Sequence, residues 1–357
     1  MFDANTIARQ VLRNCDISDA THAGLYSICG LALRLRDLYK WENGLQAWEE
    51  KESGEVLEWI GAKEQAWEHL TEREYDPISI LGKTYDPFDT RGINAVLETQ
   101  GLFYGAGYAH SLKPTFFLAL IEDKQVIDGH PVYILGRELA RDLLTIPALS
   151  QNNGILLRRE AARLFLWDKL FYLKKSGRRA VQFALSHCGI HECEPATLRQ
   201  HLNAILQVQQ DTYIFHEIGE MRETVFDRSL WREIIGTFPH TPVELLARAV
   251  KDLLADTNEF GSLRRIIRER QAAALGFYVA FFDGLPKELF PEITASFGEF
   301  MRTGDWQLVE RAVAAGYQTA KHHAEAILDI FRAGKIKADD AWIETEIGSR
   351  LLKKLIR

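Results

Sequence analysis

One stretch of this chain reads convincingly as strand, and it constrains the fold more than any other feature. In residues 115–135, TFFLALI gives way to the polar turn Glu122-Asp123-Lys124. A second run then starts at Gln125, breaks at Asp128-Gly129 and resumes as Pro131-Val-Tyr-Ile-Leu. Short apolar and aromatic runs joined by turn residues make a β-hairpin or a three-stranded meander, which needs helices packed against it to be stable. Nearly everything else carries helical periodicity. The expected class is therefore mainly α: a multi-helix bundle with a small β-hairpin in the N-terminal half.

The helices can be placed by their apolar spacing. A short one is expected over 2–14, ended at Asn14-Cys15-Asp16, and a longer one over 19–41, where Leu25, Ile28, Leu31, Leu35 and Leu38 recur on one face. Another follows at 54–71, and Arg137 opens a helix in RELARDLL. GLFYGAG (101–107) reads as a turn or a close backbone approach, since its glycines lack the order of a phosphate-binding loop. Ser150, Asn152, Asn153 and Gly154 make 146–154 a turn-prone segment and the expected domain boundary. It would separate a helical N-terminal region with the hairpin, residues 1–150, from an all-α region, residues 151–357. Helices are expected over 161–173, apolar nearly all round, and over 195–210, 211–227 and 241–256. Thr241-Pro242-Val243-Glu244 is a well-formed start for the last of these, with a cap, a proline at the first turn and Glu three residues on.

Charge and cysteine usage exclude several classes. Hydrophobic residues make up 46% and charged residues 26%, enough apolar material for a substantial core. The net charge of −7 argues against a general nucleic-acid binder, which needs a basic face. Four cysteines in 357 residues are no disulfide framework. The start MFDANTIARQ lacks the basic-then-apolar order of a secretory peptide, and no stretch is long and apolar enough to span a bilayer, so a cytoplasmic location is expected.

The candidate chemistry lies in 211–256. His216, Glu220, Glu223 and Asp227 recur at intervals of four, three and four, the spacing that stacks side chains on one helix face. Asp252 and Asp256 repeat the interval on the next helix. Imidazole with carboxylates from two helices is the set that bundles use for iron, manganese or zinc, so His216, Glu220, Asp252 and Asp256 are the expected metal ligands. Glu217, beside His216, and Asp168, inside the apolar run 161–173, are the candidate catalytic acids or bases, although for Asp168 an internal salt bridge to Arg163, Lys169 or Arg141 is the favoured alternative. The competing reading is a solvated acidic face, since Ile214, Ile218, Met221 and Val225 occupy the opposite side. His216-Glu217-Ile218-Gly219-Glu220 is not the zinc-protease motif, which ends in His. SHCGIHEC (186–193) crowds its thiols and imidazoles too closely for a structural zinc site and reads as a helix end stopped by Gly189. His322, Glu325 and Asp329 echo the pattern on a later helix, where a solvated face is favoured.

NCDISDA (14–20), YDPFD (85–89), GRELARDLL (136–144), HEIGE (216–220) and KDLLADT (251–257) together resemble an uncharacterised family of conserved bacterial proteins. The resemblance implies a bacterial, cytoplasmic protein and carries no activity to transfer. Two functions follow from the residues themselves. One is a metal-dependent enzyme, hydrolytic or oxidative, acting on a small-molecule substrate. The alternative is a non-catalytic interaction or scaffold protein, a homo-oligomer whose eight tryptophans contribute to a contact surface.

Overall fold

The computed structural model describes residues 3–353, the side chains of His110 and Arg228 excepted. The chain divides into two compact units, residues 1–167 and 168–357.

The first unit begins with α1 (Ala4–His22), α2 (Ile28–Glu42) and α3 (Ser53–Trp67). Asp3 caps α1, accepting from the N–H of Asn5, and Asn14-Cys15-Asp16 does not interrupt it. All three of those residues lie inside the helix, and the expected 19–41 helix instead restarts after Ser27, which caps α2. A small hairpin follows, β1 (Ile78–Ile80) with β2 (Lys83–Tyr85), and then α4 (Thr90–Leu97). The main sheet consists of β3 (Leu102–Tyr108), β4 (Pro114–Ile127), β5 (His130–Arg141), β6 (Ala148–Gln151) and β7 (Gly154–Arg158). Its strand order is β3-β4-β5-β7-β6, antiparallel throughout except between β5 and β7.

The hairpin read from 115–135 is therefore the centre of a five-stranded sheet. Asp128 (φ 47°) and Gly129 (φ 82°) turn it, the left-handed pair that a two-residue hairpin loop requires, whereas Glu122-Asp123-Lys124, read as a turn, lies inside β4, where the pairing with β5 shifts register. Two further expectations give way here. Arg137 opens no helix, because β5 continues to Arg141, which pairs with Phe117 of β4 across several register shifts. The segment 146–154 is no domain boundary either: Asn152 (φ 52°) and Asn153 (φ 67°) form the tight turn joining β6 to β7. Both faces of the sheet are buried. Phe116 and Leu118 pack with Ile7, Val11 and Cys15 of α1 and Ile93 and Leu97 of α4. Phe117 and Ala119, pointing the opposite way, pack with Phe103, Tyr133, Leu135 and Leu156. Gly105, paired with Phe117, lies so close that a Cβ there would sit 2.0 Å from the ring, so GLFYGAG is a strand with a close approach and not a turn.

α5 (Arg159–Phe171) carries the division between units. The second unit is helical: α6 (Arg178–His187), α7 (Pro195–Arg222), α8 (Arg228–Thr237), α9 (Pro242–Thr257), α10 (Ser262–Arg268), α11 (Ala272–Phe281), α12 (Gly284–Leu289), α13 (Pro291–Thr303), α14 (Trp306–Lys337) and α15 (Asp340–Ile347). The two helices expected over 195–210 and 211–227 are one, since nothing in Gln209-Gln210-Asp211 breaks the helical ladder. α9 starts where the sequence says, with Thr241 accepting from the N–H of Glu244 and Glu244 returning to the N–H of His240. α7 and α9 pack against each other, and α14 lies along α9. Ile214, Ile218, Leu246, Val250 and Leu253 are buried from their facing sides.

Candidate metal centre

The α7–α9 contact is unusually close because it runs through a glycine. A Cβ on Gly219 would lie 2.1 Å from the carbonyl oxygen of Ala255, so only a bare Cα fits. Asn258, following α9, donates to the Gly219 carbonyl at 2.9 Å and fixes the approach. Residues flanking this point on the two helices must then face each other. Ligand atoms of His216, Glu220 and Asp252 all lie within 4.8 Å of one another, and each residue is half-buried.

Behind this group stands a second layer. Asp256 Oδ1 takes His216 Nδ1 at 2.9 Å. The same carboxylate accepts from Ser262 Oγ at 2.6 Å and, through Oδ2, from the Tyr278 hydroxyl at 2.9 Å. A carboxylate on one ring nitrogen fixes the imidazole's orientation and leaves the other, Nε2, facing forward. Nε2 lies 3.9 Å from Glu220 Oε1, while Lys251 Nζ holds Glu220 Oε2 at 2.5 Å. Both Lys251 and Arg248 lie over the Trp231 ring.

The electrostatics follow from crowding. Burial pushes the Asp252 carboxyl up to about 6, helped by Glu220 and Asp256 and opposed by His216 and Lys251. For Glu220, burial works in the same direction, but Lys251 and His216 outweigh it and hold the carboxyl below its ordinary range. Burial disfavours charge on His216 too, yet Asp256, with Glu220 and Asp252 behind it, raises this imidazole well above its ordinary value. Burial beside Asp256 pushes the Tyr278 hydroxyl well up.

Of the residues singled out by sequence, His216, Glu220 and Asp252 converge. Asp256, expected as a fourth ligand, is placed one step back, because both its oxygens are occupied by His216, Ser262 and Tyr278. Glu217 is buried on α7 but outside the ligand group, and so is Asp168, half-buried on α5. Glu223 and Asp227 fall away because α7 ends at Arg222. Glu223 takes the N–H of Val225 at 2.7 Å, and Asp227 caps α8. His322, Glu325 and Asp329 line an exposed face of α14. His187, Cys188, His191 and Cys193 form no ligand group among the described residues, and Gly189 (φ 73°) ends α6 as expected.

Sequence reasoning missed an ionic cluster in the first unit. Lys113 is buried, with Nζ 2.9 Å from Asp19 Oδ1 and 3.1 Å from Asp142 Oδ2. Arg158, also buried, meets Glu138 at 2.6 Å. The available signal was Lys113-Pro114 placed directly before the apolar run of β4, where a lysine has no solvent to reach. Its partners lie on α1 and after β5, which one sequence does not reveal.

These observations define a two-domain protein, an α-plus-β unit followed by an all-α unit that carries a His–carboxylate group. The chain belongs to the family of unknown function DUF6866: residues 6–158 match its N-terminal domain and residues 163–350 its C-terminal domain. The seam between the matches, like the division at 167/168, falls near or within α5. Comparison with curated proteins and with solved structures gives no match. Among the described residues, no helix is long and apolar enough to cross a membrane.

Proposed function

We propose that the helical domain is a divalent-metal-dependent hydrolase, with His216 Nε2, Glu220 and Asp252 as ligands and Asp256 as the residue that positions His216. The convergence of three ligand atoms from two helices within 4.8 Å carries this reading. One imidazole and two carboxylates suit manganese, iron or zinc, and three protein ligands leave coordination positions for water. A metal there would lower the pKa of that water and make it a nucleophile near neutral pH. Hydrolysis is favoured over oxidation because it asks for no further redox partner. Lys251 supports the competing reading, in which the cluster is a neutralising ion network, because it already pairs with Glu220.

Elemental analysis of untagged protein, beside a His216→Ala/Glu220→Ala variant, separates the two. Near-stoichiometric metal that is lost from a folded variant supports the metal centre. Protein that stays metal-free on reconstitution with Mn²⁺, Fe²⁺ or Zn²⁺ overturns it and leaves an ion network.

A further inference from the structure

A cleft of about 550 Å³ opens in the first domain, lined by parts of α1, α2, β5 and α5 and by the loop 44–47. Lys40 holds that loop, its ammonium donating to the Ala47 carbonyl at 2.8 Å and pairing with Glu50 at 2.6 Å. The cleft contains equal numbers of acidic and basic side chains, but they are unequally committed. Asp37 is paired with Arg36 at 3.0 Å and Glu42 with Lys63 at 2.9 Å. Glu138 is paired with Arg158, and Glu160 accepts the Glu138 N–H at 2.9 Å within the field of Arg141 and Arg163.

Arg141 is different. It is 3% exposed, and a buried guanidinium ordinarily spends its five N–H groups on acceptors. Its Nε reaches the Asp142 carbonyl at 3.4 Å and stands 3.7 Å from Glu138 Oε2, a carboxylate already engaged by Arg158. Neither Nη of Arg141 donates to an acceptor among the described residues, although the side chain lines the cleft. Arg137, four residues earlier on β5, lines the same cleft and makes no ion pair among the described residues. Arg137 is thus the cleft arginine without an ion pair among the described residues, and Arg141, desolvated at the wall, is paired only loosely, through Nε, with its two Nη groups uncommitted.

We propose that this cleft is a binding site for a small organic oxyanion, a carboxylate or phosphate held by the Nη groups of Arg141 and closed over by Arg137. The guanidinium edge fits either group with two parallel N–H donors. Trp41 supplies an apolar wall for the ligand's carbon skeleton, and Glu138 Oε2, buried with no hydrogen-bond donor, accepts from a hydroxyl or amine on it. The site is separate from the His216 group and does not depend on a metal there.

The test is calorimetric titration of the full chain with malonate and, separately, with inorganic phosphate, in ~0.15 M salt to screen non-specific attraction. Saturable binding of either probe is expected, malonate alone marking a carboxylate ligand and phosphate alone a phosphoryl one. Arg141→Lys keeps the charge but loses the paired donors, and should weaken binding at least about tenfold. Arg137→Gln lies at an exposed position where folding is not at stake, and should weaken it as well. Absence of saturable binding by both probes overturns the proposal, as does unchanged binding in the folded Arg137→Gln variant.

Discussion

The Cα of Gly219 on α7 sits so near the backbone of Ala255 on α9 that a Cβ would come within 2.1 Å of the Ala255 oxygen. Gly219→Ala would gain about 1 kcal/mol of helix propensity. The added methyl has only backbone to push against, and overpacking of this kind costs about 1–3 kcal/mol or more. The clash should win. Urea unfolding is expected to show a net loss of up to about 2 kcal/mol, the balance of those two effects. A variant at least as stable as the parent would show that the helices can separate freely.

Asp256 should act on metal affinity without being a ligand. Asp256→Asn keeps an oxygen for His216 Nδ1 and for Ser262 but removes the charge that orients and polarises the ring. Changes of this type cost about 10–100-fold in affinity. Titration with Mn²⁺ or Zn²⁺ should show a loss of that size with metal stoichiometry retained. Complete loss of stoichiometric binding would instead place Asp256 among the ligands. Tyr278→Phe, which removes one donor to Asp256, should give a smaller loss in the same direction.

Lys251 competes with a cation for Glu220, its ammonium lying 2.5 Å from Oε2. Lys251→Gln should therefore tighten divalent-metal binding by about three- to tenfold, an effect on the scale of a partly solvated charge pair. Arg248, committed to Glu244 at 2.8 Å, is the control. Arg248→Gln should change affinity less, and equal effects from the two would mean that only bulk charge matters.

The helical domain was legible in the sequence where local chemistry decides the structure. Thr241 to Glu244 announce their helix start, and the 216/220 and 252/256 spacings put those four side chains on facing helices. The errors arose where a local signal had two meanings. Asn152-Asn153-Gly154 suits a linker and a tight β-turn equally, and only strand pairing across the sheet chooses between them. Arg137 to Arg141 has helix-forming composition, but β4 offers a ladder of hydrogen bonds that outweighs propensity. Asp256 shares the helix face expected of a ligand, and its displacement behind His216 depends on Ser262 and Tyr278 from other helices. Gly219 was visible as a residue but not as the point that brings α7 and α9 together.

The buried Asp19–Lys113–Asp142 cluster should give the first domain a distinctive pH dependence. Two carboxylates face one ammonium, and burial, with Asp142 adding to it and Lys113 opposing it, pushes Asp19 up to about 7. In the unfolded chain Asp19 titrates near 3.8. The folded state therefore holds a proton that the unfolded state has lost, so the stability from this group is full below pH 3.8 and disappears as pH rises to about 7. Asp142 shifts the other way, held low by Lys113, Thr115 and Arg158 against its own burial, so its contribution is lost only below pH 3.8. Lys113 is raised because the two aspartates outweigh burial, and its contribution is lost only above pH 10.5. The three windows do not overlap. Asp19→Asn puts a neutral amide where the protonated acid stands, leaving Lys113 one carboxylate. Compared with the parent, it should be nearly equally stable below about pH 4 and progressively more stable relative to it from there up to about pH 8. The difference between parent and variant in urea midpoint, followed across that range, reports Asp19 together with the groups coupled to it, and a difference that stays constant would show that Asp19 is ionised throughout.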